Sequence, residues 1–432
     1  MELYDRRNPL PLQYNETMGK WLVAAAVAAM VTGCKFGAGE FACVTSSDCG
    51  AGGTCEVGLN RCSFNDLSCP APFRRFGDLA GDNSGQCVGG QAPVDAGPDA
   101  PPVSTQVCYG SGLLRICLAA APSAPLAYDV PARIDTSKPQ MCSATVSGAA
   151  GYCVVVATTI AINANVRAIG PKPLVFLASD AITSMAGTNL DVGSYHFAAG
   201  SDPDNGAGAN PTTCAPGMAP TNGGGGAGGS FAGTGGNGGD GRNATNTGGT
   251  AGAAVTTFAE LRGGCPGQDG QGAAADRGTA GNGGGAVYFL AVNKIELAGN
   301  VLATGGGGNP GLRNASGAGG GGSGGMIGFD APVITVTGTL IANGGSGAEG
   351  SGNTGSGRPG NDATTLAAAA GGSGGPPNGG DGGDGSATAA NGPGAVGKAG
   401  SSGGGGGGGG AGVIKAPAVA SLGTKLSPAA TP

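Results

Sequence analysis

The sequence predicts an all-β chain: a glycine-rich right-handed parallel β-helix, or a related solenoid, over residues 107–432, with a small disulfide-rich module and a signal peptide before it. Three features carry this reading. Apolar residues alternate at period two in segments that recur along the C-terminal region, Gly (96 of 432 residues) separates those segments, and 13 cysteines gather toward the N-terminal side. A short strand pair cannot bury its apolar face alone, whereas stacked copies bury one continuous core.

Composition removes several classes. Gly does not fall at every third place throughout, which excludes collagen, and heptads rich in Ala, Glu, Lys and Leu are missing. Charged residues make up 11%, mean hydropathy is +0.04 and net charge is −6, unlike a highly charged disordered tail. With a pI near 4.8 and no dense basic patch, nucleic acid is not an expected partner.

The apolar run Trp21–Val31, preceded by Lys20 and by Arg6 and Arg7, is too short to span a bilayer and has the length of a signal-peptide core. It ends in Val31-Thr32-Gly33-Cys34, which resembles a bacterial lipobox, implying acylation of Cys34 after removal of residues 1–33. Met18 offers an alternative start. Arg6-Arg7 is followed by Asn8-Pro9, a poor twin-arginine match, and Lys35 after the anchor favours the outer membrane. Residues 34–42 then form a lipidated tether.

Setting Cys34 aside leaves twelve cysteines. Cys43, Cys49, Cys55, Cys62, Cys69 and Cys87 precede a Pro/Asp/Ala-rich linker at 88–106, and Cys108, Cys117, Cys142, Cys153, Cys214 and Cys265 follow it. Both sets are even, as expected for disulfides formed in an oxidising compartment, and six cysteines leave 15 pairings open. Residues 43–87 are too poor in large apolar side chains to hold a core, so disulfides at about 2–4 kcal/mol each substitute for it. CxxC pairs and histidines are absent from that stretch, so no metal is expected there. Cys214 and Cys265 bracket a Gly tract and are positioned to close it as a loop.

Within 107–432, three segments align: Ile160, Ile162, Val166, Ala168 and Gly170 with Ile295, Leu297, Val301, Ala303 and Gly305, and with Ile334, Val336, Leu340, Ala342 and Gly344. A fourth copy begins at Pro173 and a weaker fifth at Val413. The intervening Gly tracts, including Gly403–Gly410, read either as mobile loops or as extended polyglycine helices packed side by side. Ordering eight glycines costs on the order of ten kcal/mol with no side-chain burial to offset it.

Other motifs carry little. Gly392–Ala399 matches a phosphate-binding loop but has Ala399 in place of the metal-binding hydroxyl. Ser323, Ser373 and Ser402 fit GxSxG without a partnering base, and the single histidine, His196, sits between Tyr195 and Phe197. GGxGxD at Gly235–Asp240 and Gly379–Asp384 begins a calcium nonapeptide but lacks the large apolar residue that should follow. Catalysis on such a scaffold would require clustered charges, for which Asp180 with Asp191 is the best pair, ahead of Lys294, Glu296 and Asp330.

Lipobox, cysteine-rich module, linker and Gly-rich strands together resemble the glycine-rich predicted lipoproteins of myxobacteria, PE-PGRS-like by composition, although a PE-type N-terminal domain is lacking. The spacing of Cys43 to Cys62, with the Asp48-Cys49-Gly50 turn, resembles cysteine-rich modules of the Dickkopf N-terminal type. The resemblance implies a cell-outer-membrane lipoprotein exposed at the surface, but no activity. The expected function is a non-enzymatic structural or adhesive element, without cofactor or metal, that contacts extracellular polysaccharide or surface proteins. A polysaccharide lyase or hydrolase is the alternative.

Overall fold

A computed structural model describes residues 42–69, 71–89, 106–142, 146–147, 151–196, 205–243, 245–375, 377–387, 389 and 392–432. Cys34, the signal segment and most of the linker lie outside the described residues. The chain divides into two units, Met1–Val103 and Ser104–Pro432.

In the first unit, Gly53–Glu56, Arg61–Asn65 and Arg74–Phe76 form an antiparallel three-stranded sheet. Cys43–Cys55, Cys49–Cys62 and Cys69–Cys87 cross-link it. Among its described residues Phe76 is the one large apolar side chain that is buried; the rest of the interior is cystine, Ala80 and Ser63, whose hydroxyl donates to Glu56. Sulfur thus takes the place of a core, as the composition demands. Asp66 fixes the turn after the sheet's second strand. It accepts hydrogen bonds from Ser68 and pairs with Arg75, which together hold its carboxyl down to about 2.

The second unit holds two parallel sheets. One runs in the spatial order Leu426–Ser427, Leu340–Ile341, Asn300–Leu302, Asn189–Asp191, Val166–Ile169 and Ala132–Asp135. The other, of eight strands, is built around Leu174–Ser184, which pairs with Cys153–Ile162 on one side and with Ala286–Ala291 and Lys294–Leu297 on the other. Met326–Asp330 and Val333–Val336 continue it. The positions aligned in sequence are register partners: Ile160 with Ile182, Ile182 with Ile295, Ile295 with Ile334, and likewise Val166, Leu190, Val301 and Leu340 in the six-stranded sheet. These residues merge into one core between the sheets. Along it Phe176, Phe289 and Phe329 stack in a ladder with centroids 6.0 and 5.3 Å apart.

Strand composition follows burial. Val287, Phe289, Val175 and Leu177 belong to strands covered on both faces, which explains their unbroken apolar runs. Lys294–Leu297 and Val333–Val336 alternate exposed and buried residues because one face meets water. The second face of the larger sheet packs on an antiparallel sheet of Val107–Tyr109, Ile116–Leu118 and Val146–Ser147, stapled by Cys108–Cys117. Gly328 leaves room for Tyr288 there, since a Cβ would stand 2.4 Å from the ring.

The expectation of one right-handed parallel β-helix or solenoid through residues 107–432 is therefore corrected. The strands form two large parallel sheets and a small antiparallel one, and most of the Gly-rich remainder carries no strand. Glycine brings no side chain to a sheet core, so the strand repeat does not propagate through the tracts; they pack as a separate body described next.

Candidate functional site

The eight-residue run Gly403–Gly410 is buried, and every one of its backbone N–H and C=O groups is paired. Its N–H groups donate to carbonyls of segments 223–229, 345–351 and 395–398. Its carbonyls accept from segments 236–239, 318–324 and 380–386. Each neighbour is met at every third residue, the period of the threefold extended helix. Six surrounding chains thus enclose one central chain in a lattice held by backbone hydrogen bonds. Segment 317–324 is likewise bonded to 265–271, 278–284 and 306–309. Of the two readings that the Gly tracts allowed, packed extended helices are the one realised. Reciprocal bonding, at about 0.5–1.5 kcal/mol net per bond, opposes the entropy cost of ordering glycine.

The exposed side chains of the outer lattice chains recur at period three. Along 233–241, Thr234, Asn237 and Asp240 point to solvent while the glycines between them are mostly buried. Pro393, Val396 and Ala399 do the same along 392–400. Asn237 Oδ1 accepts the Ala251 N–H at 2.9 Å and the Gly238 N–H donates to the Gly249 carbonyl, so the Thr234–Asp240 row also holds segment 248–251. Asp240 Oδ1 accepts the Gly248 N–H at 2.8 Å and Asp384 Oδ1 the Gly371 N–H at 2.7 Å. Both GGxGxD aspartates therefore cap a neighbouring backbone. Inside the lattice small hydroxyls substitute for glycine where they bond locally: Ser323 Oγ accepts the Cys265 N–H at 2.8 Å, and Ser351 Oγ the Ser316 N–H at 2.8 Å. Glu349 is buried, its carboxylate taking the N–H groups of Arg358 and Gly375; burial pushes its carboxyl up.

Two polar clusters border the sheets. Arg167 Nη1 donates to Asp191 Oδ1 at 3.0 Å and to the Gly193 carbonyl at 2.7 Å, and Tyr195 donates to Asp191 Oδ2 at 2.8 Å. Burial and the Asp191 charge push the Tyr195 phenol up. His196 Nδ1 lies 3.0 Å from Asp362 Oδ2, and Asp362 Oδ1 also accepts the N–H groups of His196 and Gly307. The Asp362 bond holds the imidazole above its ordinary range.

The twelve cysteines are joined in six disulfides, including Cys142–Cys153 and Cys214–Cys265. Sulfurs of Cys43, Cys49 and Cys62 lie within 4.8 Å of one another, but each is in a disulfide and offers no thiolate. Asp180 and Asp191 are not brought together. Asp180 is on the eight-stranded sheet and accepts from Asn293, while Asp191 is on the other sheet, tied to Arg167 and Tyr195. Lys294 pairs with Glu296 on the surface. Asp330 holds the N–H groups of Ser111 and Gly112 at 2.7 and 2.8 Å, fastening the antiparallel sheet's loop. Ser323 and Ser402 are buried, Ser373 is exposed, and Gly392–Ala399 is an outer lattice chain. Asp362 escaped sequence reading because 166 residues separate it from His196. The G-G-x triplets of GGNGGD and GGDGGD were the visible trace of the lattice period.

No helix among the described residues is long and apolar enough to cross a membrane. No family model, no curated protein and no solved structure matches the chain.

Proposed function

We propose that the chain is a non-enzymatic, lipid-anchored element of the bacterial cell envelope, acylated on Cys34 and displayed from the outer membrane as a structural or adhesive surface. The observation that carries this reading is the lattice around Gly403–Gly410. Its central chain is backbone alone, its interior is mostly glycine with a few small or locally bonded side chains, and its exposed side chains fall in regularly spaced perimeter rows. At about 3.1 Å per residue, Thr234, Asn237 and Asp240 recur about every 9 Å along an extended face. Hydroxyl, amide and carboxylate groups in such a row suit hydrated polysaccharide or matrix polymer. Six disulfides fit an oxidising compartment. Acylation with two or three chains gives a stable anchor where one chain is marginal.

Mass spectrometry of the mature N-terminus, combined with protease shaving of intact cells, tests it. An acylated Cys34 and shaved peptides from 107–432 are expected. An unmodified N-terminus, or peptides protected until lysis, would overturn surface display. Attachment of cells lacking the gene should change; unaltered cell–cell and cell–matrix attachment would overturn the adhesive role.

A further inference from the structure

The cysteine-rich unit carries a cleft of about 360 Å³ that no step of the reading above uses. One wall is the Phe64 ring. It rests on backbone, because a Cβ on Gly77 would stand 2.8 Å from it and one on Gly53 3.0 Å. The ring remains 40% exposed, and Leu79, which also lines the cleft, is 60% exposed. The Cys49–Cys62 disulfide borders the cleft and locks the strand that bears Phe64.

Two carboxylates complete the lining. Asp48 Oδ2 accepts the N–H groups of Val44 and Thr45 at 2.9 and 2.8 Å, which lowers its carboxyl and keeps it ionised. Its Oδ1 takes no hydrogen bond among the described residues. Asp78 is exposed and has neither ion pair nor hydrogen bond among the described residues. Among the described residues Arg74 pairs with Glu56 and Arg75 with Asp66, while Arg61 donates through Nε to the carbonyl of Ala80 at the cleft's border. The cleft therefore offers a fixed aromatic face, an apolar side chain in Leu79 and two carboxylates that form no ion pair among the described residues.

We propose that this cleft receives an arginine side chain from a partner protein, the guanidinium lying over Phe64 and its N–H fork meeting Asp78 and Asp48. A guanidinium is the cation whose plane stacks on an aromatic face while its edge pairs with carboxylates. Leu79 covers the apolar stem of that side chain or its neighbour. The proposal rests on no part of the envelope reading, so each stands or falls alone.

Fluorescence anisotropy with the full chain tests it, using a labelled glycine–arginine–leucine–glycine peptide and the same peptide with neutral citrulline in place of arginine. Saturable binding of the arginine peptide is expected, weakened about tenfold or more by citrulline and about tenfold by Asp78→Asn or Phe64→Ala, and retained in Phe64→Tyr. Intact-mass measurement showing the disulfides formed confirms that each variant is folded. No saturable binding, equal binding of the citrulline peptide, or an unaffected Asp78→Asn variant would overturn the proposal. So would Phe64-dependent binding to phosphatidylglycerol vesicles, or Phe64-dependent self-association, with none to the peptide.

Discussion

Gly407→Ala asks of the lattice what its geometry forbids. A Cβ at this position would stand 2.0 Å from the Gly236 carbonyl oxygen, where ordinary contact begins at 3.4 Å. Gly407 is not in the left-handed region, so alanine meets no backbone strain; the clash alone decides the outcome. Relief requires the two chains to part by more than an ångström. That shift breaks bonds of 2.8–2.9 Å at this site: Gly407 N–H to Gly226, Gly321 N–H to Gly407, and Gly236 N–H to Gly408. Overpacking costs about 1–3 kcal/mol and each orphaned buried backbone group about 1–3 kcal/mol, against a gain of about 0.4–1 kcal/mol from the stiffer unfolded chain. Net destabilisation is expected at about 3–6 kcal/mol, read from guanidinium denaturation of the oxidised chain. Val396→Ala, at a perimeter position 61% exposed, serves as control and should stay within about 0.5 kcal/mol. Gly407→Ala melting with the control would refute the packed lattice.

Three further outcomes follow from the same contacts. Phe289→Ala removes the fully buried centre of the aromatic ladder and should cost about 3–5 kcal/mol in the same denaturation assay; a loss below 1 kcal/mol would show that the ladder adds little. Replacing Cys214 and Cys265 together by Ala opens a loop closed across 51 residues and should cost about 4 kcal/mol, visible as a lowered denaturation midpoint, whereas an unchanged midpoint would contradict it. His196 has its folded pKa raised by Asp362, so its contribution is complete below the ordinary value and is lost as pH rises through the raised one. The stability difference between the parent and His196→Gln should therefore shrink as pH rises above the ordinary histidine value of about 6.5; a difference independent of pH would contradict the pairing.

What the sequence made legible was the part written in side chains. Ile160, Ile295 and Ile334 align by apolar period and stack as register partners, and the strands that carry them form where expected. Cys214 and Cys265 bracket a Gly tract and are bonded across it. What stayed hidden was written in backbone. A glycine run has the same composition whether it is a loop or the centre of six chains, because its bonds to 223–229 or 318–324 arise from segments far off in sequence. Extrapolating the strand repeat through those runs therefore produced the wrong architecture for much of 107–432. The GGxGxD motifs mislead for a related reason: their aspartates are perimeter caps of a period-three chain, as Asp240 and Asp384 show. Asp180 and Asp191 look paired along the chain, yet a turn places them on different sheets.

Amide hydrogen exchange of the full oxidised chain, followed by pepsin digestion and mass spectrometry over residues 403–411, tests the central claim most directly. The amides of Gly403–Gly410 are expected to exchange as slowly as those of Leu174–Ser184 in the larger parallel sheet, since both are buried and paired. Exchange of that segment at the rate of an unstructured glycine peptide would contradict the lattice.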